Sequence, residues 1–296
     1  MSESFLYNRR AKLLVGVADD PKQPSGFKEG TEIKIFENLR MQFTIEKGSK
    51  SEANQARIVV FNLSGASRSF FETTPLYFIL QAGYEFPGQD PFVENIFQGS
   101  IIAITDPNTG KPTKSGKVAN VRNGADWQTS VEFGDGQSNQ MTAKINKSFQ
   151  QGITLKTAIQ DVAGTFKLPI NEIRDVPDKT FESGLVLSGT SKDELDKLAE
   201  TAGVEASIQD GEIQILAPKS TTSDEAIVLT ENTGLLGSPI RRAEGLELLT
   251  LLIPRIRPGR KLSVASNEIE GVFRCRKVIF EGDTHEGNWN ARVEAI

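Results

Sequence analysis

The chain has one histidine, His285, in the segment Gly282-Asp283-Thr284-His285-Glu286-Gly287. In an extended segment Asp283 and His285 would share a face, the spacing of a two-ligand metal site or an acid–base pair. A zinc shell takes four ligands, and no second His or Cys is placed to complete one. A Ser–His–Asp triad would have to use His285 itself. The glycines at both ends of the segment read instead as a polar hairpin tip. The one cysteine, Cys275, stands between Arg274 and Arg276 in an apolar run. It reads as a small core residue and not as a nucleophile. Gly134-Asp135-Gly136 and Asp210-Gly211 lack the ligand spacing of a calcium loop and the Gly-Lys-Ser/Thr of a phosphate loop, so both read as turns. With 39 acidic residues, a glycosidase pair is not removed by counting, but such a pair is defined by separation in space. The expectation is a chain with no catalytic residue, no metal and no cofactor.

Arg255, Arg257, Arg260 and Lys261, with Arg241 and Arg242 nearby, form the densest positive cluster. Nucleic-acid platforms interleave such residues with stacking aromatics, which are missing here. The whole chain is acidic, with 34 basic against 39 acidic side chains and a formal net charge of −5. That disfavours wrapping of a polyanion. Arg255, Arg257 and Arg260 are therefore expected at protein interfaces or on the outside.

The elements that position these residues follow from length and period. A chain of 296 residues is long enough for two or three domains with their own cores. Its 38% hydrophobic and 25% charged residues are those of a globular protein. A single Cys excludes a disulfide framework within the chain. The first twenty residues hold no signal-peptide core, and no apolar run approaches the ~18 residues of a membrane span. A soluble intracellular product is the expectation.

Residues 1–148 read as β, because Leu39, Met41, Phe43 and Ile45 alternate with polar neighbours, as do Trp127, Thr129, Val131 and Phe133. A short helix is expected over 64–72. The loops 85–93 and 106–116 read as polar or Pro/Gly-rich protrusions. Residues 149–218 switch to a helical period. Leu155, Ala158, Ile159, Val162, Ala163 and Phe166 make one buried stripe, with Thr154 as N-cap. Ser191 and Glu194 predict a capping box for a second helix that Gly203 ends. A hairpin turning at Asp210-Gly211 follows. Residues 219–296 return to β. The expected fold is mainly β with a small α+β module, the module flanked by two tube-like antiparallel β-barrel domains.

Both β regions end on the same pattern, Trp127-x-x-x-Val131-Glu132 and Trp289-x-x-x-Val293-Glu294. With a similar strand order, this suggests two related units, in which Trp127 and Trp289 hold equivalent places. On that reading three chains would supply six units around one axis.

The arrangement as a whole resembles the baseplate hub proteins of phage tails, the phage protein D type of contractile tails. It is similar through them to type VI secretion spike proteins. The resembling stretches run through the chain. They include Phe61-Asn62-Leu63-Ser64, Gln81-Ala82-Gly83-Tyr84-Glu85, Phe97-Gln98-Gly99 and Ser183-Gly184-Leu185-Val186-Leu187-Ser188. Later ones are Gly234-Leu235-Leu236-Gly237-Ser238-Pro239, Leu252 to Gly259, and Glu281-Gly282-Asp283-Thr284-His285 with Trp289. None of these is a catalytic motif. The resemblance implies a non-enzymatic homotrimer in the virion tail baseplate, assembled in the host cytoplasm. It implies a pseudo-sixfold ring joining a tail tube protein or tube initiator to a spike protein, with baseplate wedge proteins around it. DNA would pass through its channel without specific binding. The alternatives to such a hub are a tail-associated cell-wall hydrolase and a single-stranded nucleic-acid-binding β-barrel protein.

Overall fold

The computed structural model of the chain describes residues 8–71, 75–85, 92–101 and 118–296. The expected loop 106–116 and most of 85–93 lie outside these.

The first β region holds β1 (Arg9–Val17), β2 (Lys34–Phe36), β3 (Met41–Gly48), β4 (Gln55–Phe61), α1 (Gly65–Phe71), β5 (Leu76–Tyr84), β6 (Phe92–Ile101), β7 (Val118–Asn123) and β8 (Asp126–Gly134). Then come α2 (Gln137–Thr142), β9 (Lys144–Phe149), β10 (Ile153–Thr154), α3 (Leu155–Gly164), β11 (Ile170–Arg174), β12 (Thr180–Phe181), β13 (Leu185–Thr190), α4 (Ser191–Ala202), β14 (Glu205–Gln209) and β15 (Glu212–Leu216). The last region holds β16 (Ile227–Leu229), β17 (Ile240–Arg242), β18 (Gly245–Leu251), β19 (Lys261–Ala265), β20 (Glu270–Asp283) and β21 (Trp289–Ala295). The protein is mainly β with a small helical module, as the periods predicted.

Strand period sets the core. Met41, Phe43 and Ile45 of β3 are buried, as are Ala56, Ile58 and Val60 of β4 and Trp289, Ala291 and Val293 of β21. These inward faces form one apolar cluster that spans both β regions. A second cluster belongs to the module, where α3 and α4 pack over β14 and β15. Thr154 caps α3 as expected, its Oγ1 accepting the Thr157 N–H at 3.2 Å. The cap of α4 lies one residue earlier than the expected Ser191. Thr190 Oγ1 accepts the Asp193 N–H, and its hydroxyl donates back to the Asp193 carboxylate. Glu194 pairs with Lys197 instead. Ser191 is excluded from capping because it is already inside the first turn and buried. Gly203, at φ 66°, ends the helix.

The two closed barrels are not found. Among the described residues the main sheet is an open path, β17-β18-β21-β20-β3-β4-β8-β6-β5-β1-β2. The physical reason is the use of one edge. β3 pairs antiparallel with β20 from Lys277 opposite Gly48 to Asp283 opposite Gln42. The edge that a separate first barrel would seal on itself is spent joining the two β regions.

The same order of pairing occurs twice in that sheet, once along the path and once turning off it at β20 through β19 to β16. The run β3-β4-β8-β6-β5-β1 of the first region matches β17-β18-β21-β20-β19-β16 of the last, strand for strand in chain order. All neighbours are antiparallel except that β16 runs parallel to β19 where β1 is antiparallel to β5.

Candidate functional site

His285 is exposed at the tip between β20 and β21. Asp283 Oδ1 accepts the backbone N–H groups of His285 and Glu286. The side chain of Asp283 turns away to Arg40 and Gln42, each donating at 2.8 Å. Burial works against its charge, but those bonds from Arg40, Gln42 and the two amides outweigh it and hold the carboxyl at about 2. The pair is a turn lock joined to β3. Cys275 is buried, and burial pushes its thiol up to about 12, which disables it as a nucleophile. Among the described residues no three His, Cys, Asp or Glu side chains gather as a metal shell would need.

The two tryptophans each open the last strand of their β region. Trp127 is half-buried under the Arg68 guanidinium of α1, 4.1 Å from the ring centroid. Trp289 is buried, edge-on to Phe43 at 5.4 Å and near Tyr84. Gly282, opposite Trp289, lets the Phe43 ring lie on the strand, since a Cβ there would come within 2.2 Å of it.

The arginine cluster radiates from one turn to three parts of the chain. Arg255 grips both carboxylate oxygens of Glu94 in β6 at 2.7–3.0 Å. Arg257 reaches Asp210 of the module at 3.3 Å, an ion contact without hydrogen-bond alignment. Arg260 pairs with Asp224 at 3.2 Å. The side chains grouped in sequence are thus drawn apart by different partners.

Sequence reasoning missed the centre of this arrangement. Lys47 continues the inward phase of Met41, Phe43 and Ile45, and its side chain has 0% exposure. A buried ammonium needs a partner. It finds Asp210 at 2.6 Å, 163 residues away at the β14–β15 turn. Asp135, also fully buried, accepts the backbone N–H groups of Asp210 and Gly211. Burial first, then the Asp210 charge, raise the Asp135 carboxyl to about 7. Burial likewise lowers Lys47, against the pull of Asp210. Around this node Asn54 donates to Ile208 O at 2.7 Å and Gln209 donates to Gly48 O at 2.7 Å. Gln98 donates to Asp210 O, and Gln214 to Pro258 O. The two Asp-Gly turns are therefore turns that dock on one another, with the module's hairpin tip plugged between the β regions. Arg274, nearly buried, adds a second clamp through Glu205 at 2.6 Å and Pro218 O at 2.8 Å. The perturbed groups face backbone amides inside the protein and not a cleft, so the chemistry they perform is attachment.

One cleft of about 710 Å³ lies between the β3–β4 turn, α2 and the paired strands β20 and β21. Its charged rim is largely self-paired, with Lys277 on Glu46 at 2.5 Å and Arg276 on Glu294 at 2.9 Å.

No protein-family model and no curated sequence matches the chain. Solved structures do. The 43 kDa tail protein of prophage MuSo2 from Shewanella oneidensis aligns over 98% of this chain and 97% of its own, with 12% identity and a TM-score of 0.60. A tail protein from Neisseria meningitidis aligns over 98% and 96%, with 10% identity and a TM-score of 0.58. An E. coli type VI secretion component, itself described as similar in structure to phage T4 tail proteins, aligns over 87% and 73%, with 9% identity and a TM-score of 0.52. The fold is that of phage-tail and type VI secretion proteins along nearly its whole length.

Proposed function

We propose that this chain is a structural hub of a phage-tail baseplate and not an enzyme. Three copies form a ring in which six related β units surround a channel. The ring joins a sixfold tail tube, or its initiator, to a threefold spike, with wedge proteins outside and DNA passing through unheld. The observation that carries this reading is the strand order repeated within one chain, in a fold shared end to end with tail proteins. Trp127 and Trp289 then mark equivalent strands. A chain with two copies of one unit adapts threefold to sixfold symmetry without a second gene product, and a head-to-tail contact makes a ring where its rotation closes. The net charge of −5 per chain suits a lumen that does not grip phosphates. Arg255, Arg257 and Arg260 stay off the channel wall, committed to Glu94, Asp210 and Asp224.

The test is stoichiometry in purified tails, by quantitative mass spectrometry. Three copies per tail, against six per ring of the tube protein, is the expected count. Absence from the particle, or six copies, contradicts the proposal.

A further inference from the structure

We infer that the chain crosslinks itself, the Lys47 amine and the Asp210 side-chain carboxyl joining as an amide with loss of one water. This is a single event within the chain and not turnover, and it stands apart from the ring reading above.

The reactants are already in place. Lys47 Nζ lies 2.6 Å from Asp210 Oδ1, so the carboxyl carbon is one bond behind the contact atom. The two side chains are 0% and 7% exposed. Lys47 is fixed by β3, where it stands opposite Val278 of β20. Asp210 is fixed by Gln98, which donates to its carbonyl, and by Asp135, which accepts its N–H and that of Gly211. Neighbours held in this way react as if at very high concentration. The Phe97 ring faces Nζ at 5.9 Å and helps to keep water from the pair. Burial lowers Lys47 toward its free amine, which is the nucleophilic form. Two further atoms fit the same reaction. Asp210 Oδ2 and Arg257 Nε are buried 3.3 Å apart, and neither has a hydrogen-bond partner. An oxygen that gains negative charge there is stabilised by the guanidinium.

The reaction balances within the pair. The ammonium passes one proton to the Asp210 carboxylate, giving an amine and a carboxylic acid. The nitrogen attacks Cγ, the C–N bond forms, and the carbonyl electron pair moves to Oδ2 beside Arg257. The hydroxyl on Oδ1 takes a second proton from the nitrogen. The Cγ–Oδ1 bond breaks, water leaves, and the electron pair on Oδ2 returns to the carbonyl. No oxidant or cofactor is consumed. The product is neutral, so the cost of two buried charges is removed. The bond ties residues 163 positions apart and fastens the module to β3. The main competitor is the Gly211 nitrogen, whose attack on the same carbon also releases water and gives a succinimide. Asp135 Oδ1 holds that N–H at 2.8 Å, which ties up the competing nucleophile. Asp135 is thus a positioning residue.

The test is the intact mass of the full folded chain, followed by peptide mapping. The expected main species is lighter than the sequence by one water. Trypsin should fail to cut after Lys47, and tandem spectra should show a branched peptide joining the Lys47 and Asp210 segments. Lys47→Arg keeps the charge, removes the attacking amine and should show the full sequence mass. The full sequence mass in the parent chain overturns the crosslink. So does a loss of water confined to the peptide carrying Asp210-Gly211, or one mapped to another pair. These readings are made on the parent chain and hold whether or not the variant folds. Asp135→Asn accepts only one of the two amide protons. It should lower the crosslinked fraction at least about tenfold and raise the succinimide at Asp210-Gly211. An unchanged partition between the two products overturns the part given to Asp135.

Discussion

Lys47 is the residue on which three parts of the chain depend. It sits in β3, its partner Asp210 in the module, and Arg257 reaches the same carboxylate from the last β region. Removing one member of a buried ion pair leaves the other desolvated without compensation. Asp210→Asn keeps a residue that tolerates the φ of 53° found there. It should nevertheless destabilise the chain by about 3 kcal/mol or more, read from the denaturant midpoint. A loss under about 0.5 kcal/mol would place this pair with ordinary surface contacts. Asp135 and Asp283 give the pH dependence its signs. Asp135, held at about 7, lies above the ~3.9 of an unfolded aspartate. Its neutral form favours folding, so its contribution is full below about pH 4 and is lost as pH rises through about 7. Asp283, held at about 2, contributes above about pH 4 and loses that contribution as pH falls through about 2. Together the two groups predict a stability maximum near pH 4, with a decline toward neutral pH that Asp135→Asn flattens. Equal slopes for the variant and the parent between pH 4 and 7 would remove Asp135 as the cause. Lys47 carried a sequence signal, a lysine in the inward phase of β3, that went unread. Its partner carried none, because nothing local in Asp210-Gly211 distinguishes a docking turn from a free one.

At the scale of elements, the junction of β3 with β20 makes one sheet of two regions. Its packing is set by Phe43 lying over Gly282, where a Cβ would meet the ring at 2.2 Å. Gly282→Ala should therefore destabilise by about 1–3 kcal/mol through overpacking. Phe43→Leu in the same chain should recover part of that loss, which a double-mutant cycle measures as coupling between neighbours. Strict additivity would mean that the ring and the strand do not press on one another. Strand and helix identities were written in local period, and β3, β8, β20, β21 and α3 follow it closely. The pairing of β3 with β20 joins segments more than 220 positions apart and leaves no local trace. From period alone, closing each region on itself satisfies the same hydrophobic pattern. The α4 cap shifted by one residue because Thr190 and Ser191 offer the same hydroxyl chemistry, and burial of Ser191 decides between them.

At the scale of the whole molecule, two β regions with one repeated strand order and a module plugged between them make the subunit that the proposed ring would use in three copies. The short Trp-x-x-x-Val-Glu echo was the part of this legible in the sequence. The repeated strand order around it needed pairings between segments far apart in the chain. The most direct measurement is a cryo-electron microscopy reconstruction of the assembled protein, computed without imposed symmetry. The account predicts a threefold ring with six similar β lobes alternating around an open centre, Trp127 and Trp289 at matching heights in successive lobes. A twofold or open assembly, or a ring whose lobes place the two tryptophans on unrelated strands, would contradict it.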